Sequence, residues 1–201
     1  LVNHPADTFD VRDVLFKRYA SCYLTHSLVA GLLSLRDELG SSSITEIRLH
    51  VTPVHQTTCG IDHPLTGLEG KFSMRFLAAL TLIAGRVSDA EFSPQWMTDT
   101  RVRHLSARVR IIEDHTGPIM ATPVDVHRED GPILRACIDV GKAASGDQLT
   151  EQHGRLAGKY NSLVIPILGR TNAEMLAGLA QRFDQLSHVE ELMDSTRTSP
   201  S

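Results

Sequence analysis

Val14-Leu15-Phe16-Lys17-Arg18-Tyr19-Ala20-Ser21-Cys22-Tyr23-Leu24-Thr25-His26, running on through Leu39 to Gly40, decides the fold. Val14, Leu15 and Phe16 read as a short strand whose apolar run is broken by Ala20-Ser21-Cys22. From there Leu24, Leu28, Leu32, Leu35 and Leu39 recur at three- to four-residue steps. That is the period of one helix face, and Gly40 with the serines after it supplies a stop. Lys17 then ends a strand and His26 lies in the first turn of the helix that follows. Unpaired backbone N–H groups point outward at such a junction, which makes it a place for an anionic ligand.

Outward from this stretch, residues 1–13 are polar and read as a linker. Residues 44–51 alternate as Ile44, Ile47, Leu49 and Val51 with polar residues between, a half-buried strand. Residues 52–70 carry prolines, glycines, His55 and His63 and read as one long loop. Phe72, Phe76, Leu80 and Ile83 form a helical stripe ended by Gly85, with Lys71 and Ser73 where that helix begins. Ser93-Pro94 starts a short helix with Trp96 and Met97 facing inward, and residues 100–107 form another. Residues 108–113, 119–127 and 133–140 are three strands of an antiparallel meander with one wet face. The expected class is therefore α+β: a small antiparallel sheet with helices packed on it, over residues 14–145. A Gly/Ser-rich break at 143–147 introduces C-terminal helices over 146–195. These are residues 149–163, 172–186 with Leu176, Leu179, Ala180 and Phe183 on one face, and a short helix from Val189. Residues 196–201 are expected to be a disordered tail.

Composition excludes several function classes. Twenty Lys and Arg against twenty-four Asp and Glu give a net charge of −4, so no basic excess points to nucleic acid. The longest apolar runs are too short to span a bilayer, so no membrane partner is expected. Cys22, Cys59 and Cys137 are odd in number and widely spaced, which fits a reducing, cytoplasmic compartment better than a disulfide framework. His55 and His63 lack metal-ligand spacing with any acidic residue, so no metal is expected. Leu1 opens the chain without a signal-peptide pattern, as a fragment or a processed product would.

Three motifs bring a family into view. The first is Lys17, Tyr19, the small turn Ala20-Ser21-Cys22, then Thr25-His26 opening a helix. The second is Pro64, Thr66 and Glu69 before Lys71-Phe72-Ser73, and the third is Lys159-Tyr160 followed by helices ending in Val189 to Met193. In these the chain resembles the C-terminal part of the MmgE/PrpD family, which includes 2-methylcitrate dehydratase, cis-aconitate decarboxylase and iminodisuccinate epimerase. The resemblance implies a lid-like domain of a cofactor-independent lyase or isomerase acting on a small di- or tricarboxylate. It also implies a missing N-terminal helical domain on which the last helices pack; a homodimer, expected as well, would help to cover those helices. Lys17 and His26 become the catalytic candidates, and Cys22, Lys71 and Ser73 the substrate-binding ones. Cys22 stands where the decarboxylase branch has histidine, so dehydration, or epimerisation, is favoured over decarboxylation.

Each of these residues has a plainer reading as well. A lysine is usually solvated surface, and His26 could cap its helix or be satisfied in the core. Cys22 could be a small buried apolar group, Ser73 a helix cap, Lys71 solvated, and the Lys159-Tyr160 pair packing. The rival function from another class is a stand-alone, non-catalytic lid-like module that binds a ligand or a partner. It would show exposed apolar surface on the last helices.

Overall fold

The stripe of leucines after His26 forms helix α1, His26–Leu39, in the computed structural model, which describes residues 13–197. Leu28, Leu32, Leu35 and Leu39 are buried, and Gly40 ends the helix at φ 53°, a backbone conformation open to glycine. The linker expected over 1–13 and the tail over 196–201 lie outside the described residues, apart from residues 13, 196 and 197.

Strand β1, Ile44–Val51, follows with Ile47, Leu49 and Val51 buried. Helices α2 (Pro53–Cys59), α3 (Gly67–Gly70), α4 (Met74–Ala84), α5 (Pro94–Thr98) and α6 (Thr100–Ser106) come next. Strands β2 (Val109–Glu113), β3 (Val124–Arg128) and β4 (Leu134–Ala136) complete a four-stranded sheet in the order β2-β1-β3-β4. With helices packed on that sheet the class is α+β. Helix α1 packs on β3, β4 and α4, and α4 packs in turn on α6 and β2. Gly31 lets α1 approach the sheet closely, since a Cβ there would lie 3.2 Å from Val124 Cγ2.

Three local expectations change. The sheet is mixed: β3 pairs antiparallel with β1 and β4, but β2 pairs parallel with β1, Ile47 opposite Val109. Helices α2 to α6 between the two strands carry the chain back to the starting end, as a parallel crossover requires. Residues 14–16 form no strand, and Val14 and Phe16 are 48% and 46% exposed. Three apolar residues without a ladder partner bury too little to hold an extended edge. The loop expected over 52–70 contains α2 and α3. Pro53 presets the first turn of α2, and His55 and Cys59, one turn apart, put that helix's inner face in the core. Thr66 and Glu69 close a capping box around α3.

The chain divides into two compact units between Ala143 and Ala144. In the second, helix α7 (Gln148–Gln181) is two limbs joined at a kink where Gly169 has φ 74° and ψ 162°. Tyr160 donates its hydroxyl proton to the Ala173 carbonyl across the kink at 2.8 Å, a packing role for that side chain. Ala173 and Leu179 are buried, whereas Phe183 is 56% exposed, so the expected apolar stripe is only partly covered. Helix α8, Glu190–Ser195, packs on α7. Among the described residues no helix is long and apolar enough to cross a membrane.

Candidate functional site

The approach to α1 is a 3₁₀ turn, Tyr23–Thr25, stabilised by short polar contacts. Thr25 donates its hydroxyl proton to the Cys22 carbonyl at 2.7 Å, and its oxygen lies 2.9 Å from Ser21 Oγ. His26 is 1% exposed. Its ring stacks on Tyr23 at 4.5 Å between centroids and meets Tyr19 edge-on at 5.1 Å. Tyr23 in turn donates to the Val140 carbonyl at 2.9 Å, which fixes the stacked face. Burial pushes the Tyr23 phenol up, with the Arg18 charge acting against it.

Two distant motifs meet at one backbone hydrogen bond, where Cys22 N–H donates to the Lys71 carbonyl at 3.0 Å. The residues after Lys71 continue the join on their other side. Ile61 N–H donates to the Phe72 carbonyl, and Gly60 pairs with Ser73 in an isolated bridge. Residues 71–73 thus lie between the turn at Cys22 and the end of α2. Cys59, fully buried, has its thiol pushed up by burial first and then by the Cys22 thiol beside it. Cys22 itself is half-buried and lines this join.

The side chains of the second motif have local work. The Lys71 ammonium pairs with Asp89 at 2.6 Å and sits 5.2 Å from the centroid of the Phe92 ring. Gly67, in the same motif, must be glycine because a Cβ would run into the Phe92 carbonyl. Ser73 is fully buried, and its Oγ accepts the Phe76 N–H at 3.3 Å as the N-cap of α4. Ser73→Ala is therefore expected to destabilise the fold by about 1 kcal/mol, as loss of a cap does, while Ser73→Gly, which adds no volume at this buried position, should cost less. Urea unfolding of the two variants measures the difference.

Lys17 is exposed. His55, the buried histidine of α2, bonds through Nδ1 to Thr52 Oγ1 at 2.8 Å. Its Nε2 finds no hydrogen-bond partner among the described residues, and burial pushes its pKa down, with the Ile119, Thr52 and Leu24 carbonyls acting against the shift. His63 belongs to a different cleft. Among the described residues no group of three or more His, Cys, Asp or Glu is placed to hold a metal ion.

The structure therefore brings together His26, Cys22 and the backbone of Lys71, and leaves the Lys17 side chain at the exposed entrance to the turn. Sequence reasoning missed Tyr23 and Asp89. An aromatic residue three positions before a helix-opening histidine was the available signal for the first; nothing local marked the second. A sequence model of the MmgE/PrpD C-terminal domain matches residues 19–185. The match takes in Tyr19, Cys22, His26, Lys71 and Ser73, and begins two residues after Lys17. Comparison with curated proteins finds no match.

Proposed function

The chain belongs to the MmgE/PrpD family through its C-terminal domain, and from that premise we propose that it forms the lid-like part of a cofactor-independent lyase or isomerase acting on a small di- or tricarboxylate. The observation that carries the reading is the Cys22–Lys71 backbone hydrogen bond, which sets the Lys17-to-His26 turn against the Lys71-to-Ser73 turn. Both turns hold cationic or proton-handling side chains, the equipment that chemistry beside a carboxylate needs.

In the dehydration favoured here, a base removes the proton on the carbon next to a carboxylate. The electron pair passes into an enolate-like carboxylate, and the neighbouring hydroxyl leaves as water once protonated. Epimerisation shares the first step and returns the proton to the other face. Lys17 holds the carboxylate on which charge develops. His26, behind the Tyr19 and Tyr23 rings, holds or moves a proton, and Cys22 lines the pocket. The Asp89 partner of Lys71 is 64% exposed, so that pair is weak and a substrate carboxylate can replace it. Ser73 contributes by fixing the start of α4. An N-terminal helical domain supplies the remaining acid-base groups, and the active species is a cytoplasmic homodimer. Decarboxylation is disfavoured because Cys22 occupies the position that is histidine in the decarboxylase branch.

The non-catalytic module is the second reading, favoured by apolar surface on the second unit, where Ile167 and Met193 are 68% and 56% exposed. One assay separates the two. The protein as its gene encodes it is incubated in D₂O with 2-methylcitrate, cis-aconitate and iminodisuccinate and followed by proton NMR. Loss or exchange of the C–H signal next to a carboxylate is the expected result. Binding without turnover or exchange for every acid would leave the module reading standing instead.

A further inference from the structure

A cleft of about 820 Å³ opens between residues 62–65, α4, α5 and α6, and none of the residues discussed above as catalytic or substrate-binding lines it. That volume is within the range of small-molecule sites. Two guanidinium groups line it, Arg75 and Arg103, beside the imidazoles of His63 and His104, against the single carboxylate of Asp62. Arg75 already holds Asp62, Nε to Oδ1 at 2.7 Å, and also donates through a terminal nitrogen to the Val109 carbonyl. Its guanidinium is thereby fixed in place while one edge keeps its donors. The side chains of Arg103, His104 and His63 make no hydrogen bond or ion pair with another described residue. Arg103 also sits with His104 in the last turn of α6, where the guanidinium charge favours the helix end. That role explains neither the fixed Arg75 opposite them nor the floor of the cleft, which is apolar: Phe76 and Met97 line it, and Leu65 stands 84% exposed at its edge.

We infer that this cleft is a second anion site, for a small organic acid whose carboxylate or phosphate is held by Arg103 and Arg75 while an apolar body lies on Phe76 and Met97. A guanidinium edge matches either acid group through paired N–H donors. The inference does not depend on turnover at the Lys17–His26 turn.

Amide spectra of the ¹⁵N-labelled 201-residue chain test it, titrated at constant sodium chloride with benzoate, phenyl phosphate and inorganic phosphate. Shifts concentrated at residues 62–65 and 97–107 are expected with benzoate or phenyl phosphate, and the better binder identifies the acid group. Arg103→Gln should weaken that binding at least 10-fold and Lys17→Ala should leave it unchanged, with each variant's dispersed spectrum showing that it folds. Inorganic phosphate binding as tightly as phenyl phosphate would remove the apolar body from the proposal. Shifts centred elsewhere, no localised shift with any probe, or an unchanged affinity in Arg103→Gln would overturn the site.

Discussion

Lys17→Ala in the protein as encoded is expected to lower kcat/KM by about 10²–10⁴-fold, the range for one positioned acid-base or charge-stabilising group, with little change in thermal midpoint. The two halves of this expectation have separate origins. Lys17 is exposed at the entrance to the turn, so its removal takes no volume from the core, and surface substitutions of this kind shift stability by about 0.5 kcal/mol or less. Its charge, by contrast, lies on the segment that leads through Tyr19 to His26. An interaction made only as charge develops on the substrate appears in kcat, whereas a ground-state carboxylate contact appears in KM. Lys17→Arg keeps the charge but changes the donor geometry, and should recover binding more than turnover. Steady-state kinetics of both variants decide the matter; wild-type rates in Lys17→Ala would remove the residue from the mechanism.

Replacement of Glu91 should have the largest effect on stability of any polar change. Its side chain is fully buried and accepts hydrogen bonds from Ser88 N–H at 2.9 Å, Ser88 Oγ at 2.6 Å and Arg86 Nε at 2.6 Å. Burial pushes its carboxyl up, but the Ser88 hydroxyl, Arg86 and the Ser88 amide outweigh burial and hold it below the usual carboxylate range. Arg86 is 72% exposed, so the ion pair adds little, and the cost of Glu91→Ala comes from stranding the Ser88 donors and emptying buried volume. About 2–4 kcal/mol is expected. A folded pKa below the unfolded value of about 4.3 means that the contribution is complete above that value and is lost as pH falls through the folded pKa. Glu91→Gln keeps the shape without the titration, so its stability should fall less steeply between about pH 5 and pH 3 than that of the wild type. Urea unfolding across that range measures the slopes, and parallel curves would show that Glu91 does not contribute to acid sensitivity.

The sequence revealed the elements whose signals are periodic. The leucines of α1, the alternation of β1 and the stripe of α4 each repeat often enough to identify a helix or strand face, and Gly40 and Gly85 mark their ends by chemistry that only glycine supplies cheaply. Short elements were misread because one turn carries little periodicity. Helix α2 is defined by Pro53 and two buried side chains, and α3 by a capping box between Thr66 and Glu69. The parallel pairing of β1 with β2 has no local signature at all, since strand direction is set by the path of the helices between them. At the candidate site, the motifs by which the chain resembles the family singled out Lys17, Cys22, His26, Lys71 and Ser73 as candidates. What the motifs could not show was how each is held, since the Lys71–Asp89 pair, the Tyr23 stack and the Cys22–Lys71 backbone bond join residues far apart or set by rotamer.

The parallel pairing also sets an order of assembly. Strand β3 meets β4 across residues 129–133, so that contact closes a small loop early. Strand β2 can join β1 only after five helices have been laid down between them, and Arg75, on α4, then donates to the Val109 carbonyl at the start of that strand. Until β2 arrives, one edge of β1 is left unpaired with Ile47, Leu49 and Val51 beside it, so the slow step of folding is also the one most open to association with another chain.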